Sequence, residues 1–306
     1  GRRVRRRAAA AWTAAHGGAV VGGVARLVDA AMAEDVDKAG DITTDSIIDA
    51  ADSAVATVAM RCEGVVAGLA TLGEFRRHAP GVSIDVLCKD GESCKAGAAV
   101  AVLRGSLRGI LRIERPLLNL LGRLSGIATL TRQYVDAIKG HRAVICDTRK
   151  TTPGMRMLEK YAVRCGGGTL HRLGLSDAAL FKDNHVAGIP LEKLAATLRE
   201  SVQRVRHHHE VRFVEVEVDS LEQLEIVLHL EKGLVDIVLL DNMSVTQLIE
   251  AVAKRQAIAP TVALEASGGI TLENVRIMAE TGVDRISIGA ITHSAPWLDI
   301  GLDIAT

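Results

Sequence analysis

Aromatic residues are scarce in this 306-residue chain, where two Trp, two Tyr and three Phe amount to 2%. Its core must therefore be built from aliphatic side chains. With 29 Gly and 48% apolar residues, the composition suits an α/β protein with many tight strand–helix turns and excludes a disordered chain. An excess of either charge is missing too. Lys+Arg and Asp+Glu both total 37, which argues against a general nucleic-acid binder. The cysteines (Cys62, Cys88, Cys94, Cys146 and Cys165) are odd in number and form no Cys-x-x-Cys pair, so free thiols in a reducing, cytoplasmic setting are expected. No apolar run approaches the roughly 20 residues that span a bilayer, and no membrane partner is expected. Acidic residues are absent from the first 27 positions, and five of the first seven are Arg. A solvated basic tail is the expectation there, with an organelle-targeting peptide as the alternative.

Ordered structure is expected from about Val24. After a short helix, three alternating, β-rich pieces follow: Ala56–Ala67, Val82–Cys88 and Ala98–Arg104. A long helix is then predicted over 117–139 on the stripe Leu117, Leu118, Leu120, Leu121 and Leu124, with Pro116 in its first turn or kinking it. From residue 143 short apolar strands recur: Ala143–Cys146, Ala178–Phe181, Arg212–Val218, Val235–Leu240, Val262–Glu265 and Asp284–Ile288. Amphipathic stretches at Leu191–Val205, Ser220–Leu230, Val245–Lys254 and Leu272–Glu280 separate most of them. Strands alternating with helices predict parallel βαβ units. Each strand ends on polar or glycine residues, as an α/β barrel with one shared mouth requires.

The first strand endings are cationic: Arg149, Lys150, His171, Arg172 and Lys182. Guanidinium forks match carboxylates and phosphates, and Lys adds a movable point charge, so a polyanionic ligand is implied. Glu215 and Glu217 lie two apart on one strand and share a face, Glu217 being nearer the mouth; Asp241 ends the next strand. Hard carboxylates beside bound phosphates are a usual Mg²⁺ site, and pairing with nearby Lys and Arg is the alternative. Ser267-Gly268-Gly269 precedes a helix and Gly289 ends the following strand, a pattern suited to holding phosphate. His207-His208-His209 is read as a solvated loop.

Taken together, these residues resemble the quinolinate phosphoribosyltransferase family. The motifs that carry the resemblance are Gly40-Asp41-Ile42-Thr43-Thr44, Glu114-Arg115, Leu124-Ser125-Gly126-Ile127-Ala128-Thr129, Asp147-Thr148-Arg149-Lys150-Thr151-Thr152-Pro153-Gly154, Glu159-Lys160-Tyr161-Ala162-Val163, Lys182-Asp183-Asn184-His185, Leu240-Asp241-Asn242 and Glu265-Ala266-Ser267-Gly268-Gly269. Three features depart from the family pattern: Pro116 after Arg115, a longer stretch between Glu217 and Asp241, and the basic tail.

The resemblance implies the type II phosphoribosyltransferase fold, an N-terminal α/β sandwich plus an open, incomplete α/β barrel. The expected division is a tail over 1–23, a sandwich domain over 24–139, a barrel over 140–290 and a C-terminal segment, 291–306, returning to the first domain. It further implies transfer of phosphoribosyl from phosphoribosyl pyrophosphate to quinolinate with decarboxylation, in a homodimer or dimer-based hexamer with Arg115 donated across the interface. Thr148, Arg149, Lys150, His171, Arg172 and Lys182 would meet the anionic substrates. Glu217 and Asp241 would face the ribose hydroxyls and Mg²⁺, and Ser267, Gly268, Gly269 and Gly289, with His293 nearby, would hold the 5′-phosphate. Lys150, Glu217 and Asp241 are the residues assigned to catalysis. The alternatives are a paralogue acting on another base, a Schiff-base lyase using Lys150 or Lys182, and a silent phosphate-binding protein.

Overall fold

The computed structural model describes residues 23–36 and 38–305, so the tail expected over 1–23 lies, but for Gly23, outside the described residues. In chain order the elements are a helix over 23–35 (α1), α2 (Ile42–Ile47), β1 (Ser53–Met60), β2 (Gly64–Val65), α3 (Leu72–Phe75), β3 (Val82–Val86), β4 (Ser93–Cys94) and β5 (Ala99–Ser106). Next come α4 (Leu107–Ala137), β6 (Val144–Cys146), α5 (Arg156–Gly166), β7 (Ala179–Phe181), α6 (Asp183–Val186), α7 (Leu191–His208), β8 (Val214–Val218) and α8 (Leu221–Leu228). The chain closes with β9 (Ile237–Asp241), α9 (Val245–Ile258), β10 (Ala263–Ser267), α10 (Val275–Glu280), β11 (Arg285–Ser287), α11 (Ala290–His293) and β12 (Ile300–Ile304). Two units are distinguished: the described part of Gly1–Arg132 with Thr151–Gly167 and Ile291–Thr306, and Gln133–Lys150 with Gly168–Ala290.

The first unit carries an antiparallel sheet in the order β12-β1-β5-β3 and a two-stranded sheet of β2 and β4. The β-rich stretch expected over Ala56–Ala67 is thus divided. Arg61-Cys62-Glu63 interrupts its apolar alternation, and Arg61 turns out to Asp303, 2.7 Å away. The long helix also differs from expectation. It starts at Leu107 rather than 117, and Pro116 sits well inside it, where it cannot donate to the Arg112 carbonyl. A continuous apolar stripe explains why the helix nevertheless persists. Ile110, Ile113, Leu117, Leu121 and Leu124 are spaced three or four apart and fully buried. Further along α4, Gly126 lies so close to the Pro296 carbonyl that any Cβ there would overlap it, while the Leu298 amide donates to the Gly122 carbonyl at 2.9 Å. Small residues one turn apart thus give the C-terminal segment its path across the helix. In α5, buried Glu159 accepts from Arg123 Nη2 at 2.7 Å, from Thr152 Oγ1 at 2.8 Å and from the Thr152 amide at 3.1 Å, pinning the loop before the helix.

In the second unit six strands run parallel in the order β6-β11-β10-β9-β8-β7. From β7 to β11 each strand pairs with the next, and β11 pairs back to β6. The β6–β7 seam carries no strand pairing, which leaves the barrel open. Parallel strands covered by helices are buried on both faces, as β8 is along its whole length. Its Val214, Val216 and Val218 take one face, and Glu215 and Glu217 the other. Ser220 caps α8, and Ser244 with Gln247 forms a capping box on α9, so these crossover helices start where the sequence supplies the acceptor. His207 and His208 correct the loop expected there: they form the last turn of α7, exposed to solvent, with His209 as its C-cap. Imidazoles at a helix C-terminus are favoured by the helix dipole.

Candidate active site

The C-terminal ends of the barrel strands carry most of the residues singled out from the sequence. Thr148, Arg149 and Lys150 follow β6, and the Thr148 hydroxyl accepts the Lys150 amide at 3.0 Å. His171 and Arg172 precede β7, and Lys182 follows it. Arg172 is buried, and its guanidinium is made more acidic first by burial and then by the charge of Arg149. A buried and a half-buried guanidinium thus lie within reach of each other's field. Lys182 Nζ lies 2.7 Å from Glu217 Oε2, with the Lys side chain 45% exposed and the carboxylate nearly buried. The Lys182 amide donates to His185 Nδ1 at 2.8 Å, which explains locally why a His stands three residues after the Lys.

Asp241 ends β9, and its Oδ2 accepts from Asn242 Nδ2 at 2.7 Å. Asn242 is the one non-glycine residue of positive φ (54°) among the described residues, and its amide donates to the Ser267 carbonyl at 2.9 Å. This contact locks the β9 and β10 ends together. Gly268 then turns at φ 94°, and a Cβ there would collide with the Asn242 side-chain oxygen. A glycine is required twice over, by conformation and by space. Gly268→Ala is therefore expected to displace the Asp241–Asn242 corner and lower kcat by about tenfold or more. Steady-state kinetics beside a urea melt tests this, and an unchanged kcat in a folded variant would refute it. Ser267-Gly268-Gly269 precedes α10, as expected from the sequence. The turn over 270–274 intervenes, held by Asn274 Nδ2 on the Gly269 carbonyl (2.9 Å) and the Thr271 amide on Asn274 Oδ1 (2.8 Å), and α10 starts at Val275. Gly289 precedes α11.

Arg115 and His293 fall in the other unit. Arg115, on α4, is 66% exposed, with Glu114 at 3.9 Å its one ionic neighbour among the described residues, and His293 Nδ1 lies 2.6 Å from Ser294 Oγ at the end of α11.

Beneath the mouth lies a charged layer that the sequence reading had not assembled. His171 Nε2 is 2.8 Å from Glu215 Oε2 and 3.4 Å from Glu265 Oε1, while Glu265 Oε2 is 2.5 Å from Arg285 Nε. Both carboxylates are fully buried. Burial opposes a charge on His171, as does the Arg172 amide donating to Nδ1 at 2.8 Å, while Glu215 and Glu265 raise the proton affinity of the ring and hold its proton at Nε2. Glu265 is drawn down to about 2 by His171 and Arg285 against the effect of burial, whereas burial and the Glu265 charge push Glu215 up. The signal for this layer was partly present in the sequence, since Glu215 shares the inward face of β8 with Glu217. The pairing of Glu265 with Arg285 is a matter of β10–β11 register, in which these two residues are direct partners.

Among the described residues no helix is long and apolar enough to cross a membrane. The family model for "Quinolinate phosphoribosyl transferase, N-terminal domain" matches residues 41–125, and that for the C-terminal domain matches 127–303. Curated relatives include the "Nicotinate-nucleotide pyrophosphorylase [carboxylating]" of Mycobacterium leprae, 44% identical over 90% of this chain and 94% of its own length. A second, from Bacillus subtilis and named as probable, is 40% identical over 87% of this chain and 88% of its own. The solved nicotinate-nucleotide pyrophosphorylase of Francisella tularensis superposes with a TM-score of 0.84 at 36% identity, covering 93% of this chain and 97% of that one. A strand order left open at one seam, the parallel ends that carry Arg149 to Gly289, and matches along nearly the whole described length lead to one assignment: the chain belongs to the quinolinate phosphoribosyltransferase family.

Proposed function

We propose that this protein joins quinolinate to phosphoribosyl pyrophosphate, releasing pyrophosphate and carbon dioxide and forming nicotinate mononucleotide. The observation that carries the reading is the pair Arg149 and Arg172, two cations set against each other, one after β6 and one in the loop before β7, beside the Lys182–Glu217 ion pair. Both reactants are anions that repel one another, and a cationic, partly dry mouth overcomes that repulsion.

In this reading Arg149 and Arg172 take the two pyridine carboxylates, with Thr148 lining the same end. Lys150 and Lys182 face the pyrophosphate, and Glu217 and Asp241 the ribose hydroxyls. Ser267, Gly268, Gly269 and Gly289 take the 5′-phosphate, with His293 nearby. Departure of pyrophosphate leaves positive character at the anomeric carbon, which the adjacent carboxylates stabilise. The pyridine nitrogen attacks that carbon. Its new positive charge holds the electron pair left at C2 when carbon dioxide leaves, and a proton then completes the ring. No covalent bond to the enzyme is needed; positioning does the work.

Hard oxygen donors suit a divalent cation. Glu217 Oε2 holds the Lys182 bond and Asp241 Oδ2 the Asn242 bond, leaving the other oxygen of each carboxylate for Mg²⁺, which commonly takes one or two carboxylates plus phosphate oxygens. Mg²⁺ there would offset the charge of the pyrophosphate. The exposed Arg115 fits donation to a second copy in a homodimer or a dimer-based hexamer, and the unpaired thiols fit a cytoplasmic setting. The lyase reading has less support, because Lys182 is engaged by a carboxylate rather than set in the apolar pocket a Schiff-base amine needs.

The test is an assay with both substrates. Carbon dioxide and pyrophosphate are expected in equal amounts, each dependent on quinolinate. Pyrophosphate release with another base but none with quinolinate would assign the chain to a paralogue.

A further inference from the structure

Glu215, Glu265 and Arg285, which surround His171 under the mouth, are left without a role by the chemistry above. Barrel interiors are ordinarily filled with branched aliphatic residues. A buried ion pair seldom adds stability over such packing, so what three buried polar side chains and the half-buried Arg285 contribute here is geometry. We propose that Glu265, clamped by Arg285, is a positioning residue for the quinolinate carboxylate subsite, acting through His171 on Arg172.

The connections run in one direction. Arg285 fixes one oxygen of Glu265 at 2.5 Å, and the other oxygen faces His171 Nε2 at 3.4 Å, beside Glu215 at 2.8 Å. The opposite ring nitrogen, Nδ1, accepts the Arg172 amide at 2.8 Å. The His171 backbone is held as well. Its amide donates to Asp147 Oδ1 at 2.7 Å, and its carbonyl accepts from Arg212 Nη2 at 3.2 Å. The imidazole is thus engaged at both nitrogens with only 4% of the residue exposed, so its position sets that of Arg172 beside it. His171, Glu215 and Glu265 also place three donor atoms within 4.8 Å of one another, as a metal site would. The guanidinium of Arg285 already answers that need, supplying a cation at Glu265 from the protein's own chain. Lys182 bonds Glu217 rather than any member of this layer, so the phosphate-facing groups are expected to be insulated from it.

The inference rests on the function proposed above, and calorimetric titration with quinolinate and, separately, with phosphoribosyl pyrophosphate tests it. Two variants are needed, Glu265→Gln and the double variant Glu265→Gln with Arg285→Met. The second removes both charges together, so that no uncompensated ion is left buried. In both, quinolinate affinity is expected to fall by about tenfold or more with phosphoribosyl pyrophosphate affinity within about threefold of wild type. A purely structural role would weaken both ligands alike, and the double variant would recover them together with its stability. A smaller loss for quinolinate, a parallel loss of both ligands, or failure of both variants to fold would overturn the proposal. If the unaltered protein fails to bind quinolinate, the function itself falls; if it binds and the variants bind equally well, only this inference falls.

Discussion

Arg172→Ala should abolish measurable quinolinate binding while changing the stability of the protein little. The two halves of this expectation come from one feature. Arg172 is buried beside Arg149, and the repulsion between them is part of what lowers its proton affinity. Removing one of two like charges relieves that repulsion and offsets the lost attraction of Glu215, Asp177 and Glu217, so the folded protein loses little. In the proposed site the ligand would, by contrast, lose a charge-assisted partner that is itself buried. Truncating one member of such a pair costs about 3 kcal/mol or more, which is at least about a hundredfold in affinity. Calorimetry with quinolinate and a urea melt measure the two quantities on the same preparation. Unchanged affinity would remove Arg172 from the site. A loss of affinity matched by a comparable loss of stability would make it a structural residue, contrary to the like-charge argument.

Much of the fold was legible because strand and helix periodicities alternate cleanly after residue 143, and every expected strand there is present with its bounds shifted by a few residues. Helix caps were legible for the same reason, being local: Ser244 and Gln247 stand three apart and bond each other's backbone. What escaped the sequence reading was decided at longer range. Pro116 looked like a helix start because proline rules are local, whereas the buried stripe from Ile110 to Leu124 extends the helix on both sides of it. The apolar stretch Ala56–Ala67 looked continuous until the C-terminal β12 took β1 as its partner and drew Arg61 toward Asp303. In the site, the cations and carboxylates at strand ends could be enumerated from their spacing. The interlock of Asn242 with Gly268, and the pairing of Glu265 with Arg285, follow from strand register, which no stretch of sequence states by itself.

A mixture of two inactive proteins should recover activity. Arg115→Ala removes a guanidinium that in this chain is exposed and only loosely paired with Glu114. Lys150→Ala removes a cation at the β6 end of the barrel. Each change alone is expected to lower activity by about a hundredfold or more, since each takes a charge from the anion receptor. If Arg115 serves the active site of its neighbour in a two-fold dimer, a hybrid of the two variants contains one site with both residues intact and one with neither. Random exchange makes half of the dimers hybrid, and half of their sites complete, so about a quarter of wild-type activity should return. Subunit exchange has to be shown independently, with a tag on one variant and co-purification of the other. Should exchanged mixtures stay inactive, Arg115 acts within its own subunit or not at all. Should Arg115→Ala alone retain full activity, the residue has no part in the reaction, and the proposed dependence of each site on a second copy would have to rest on other groups.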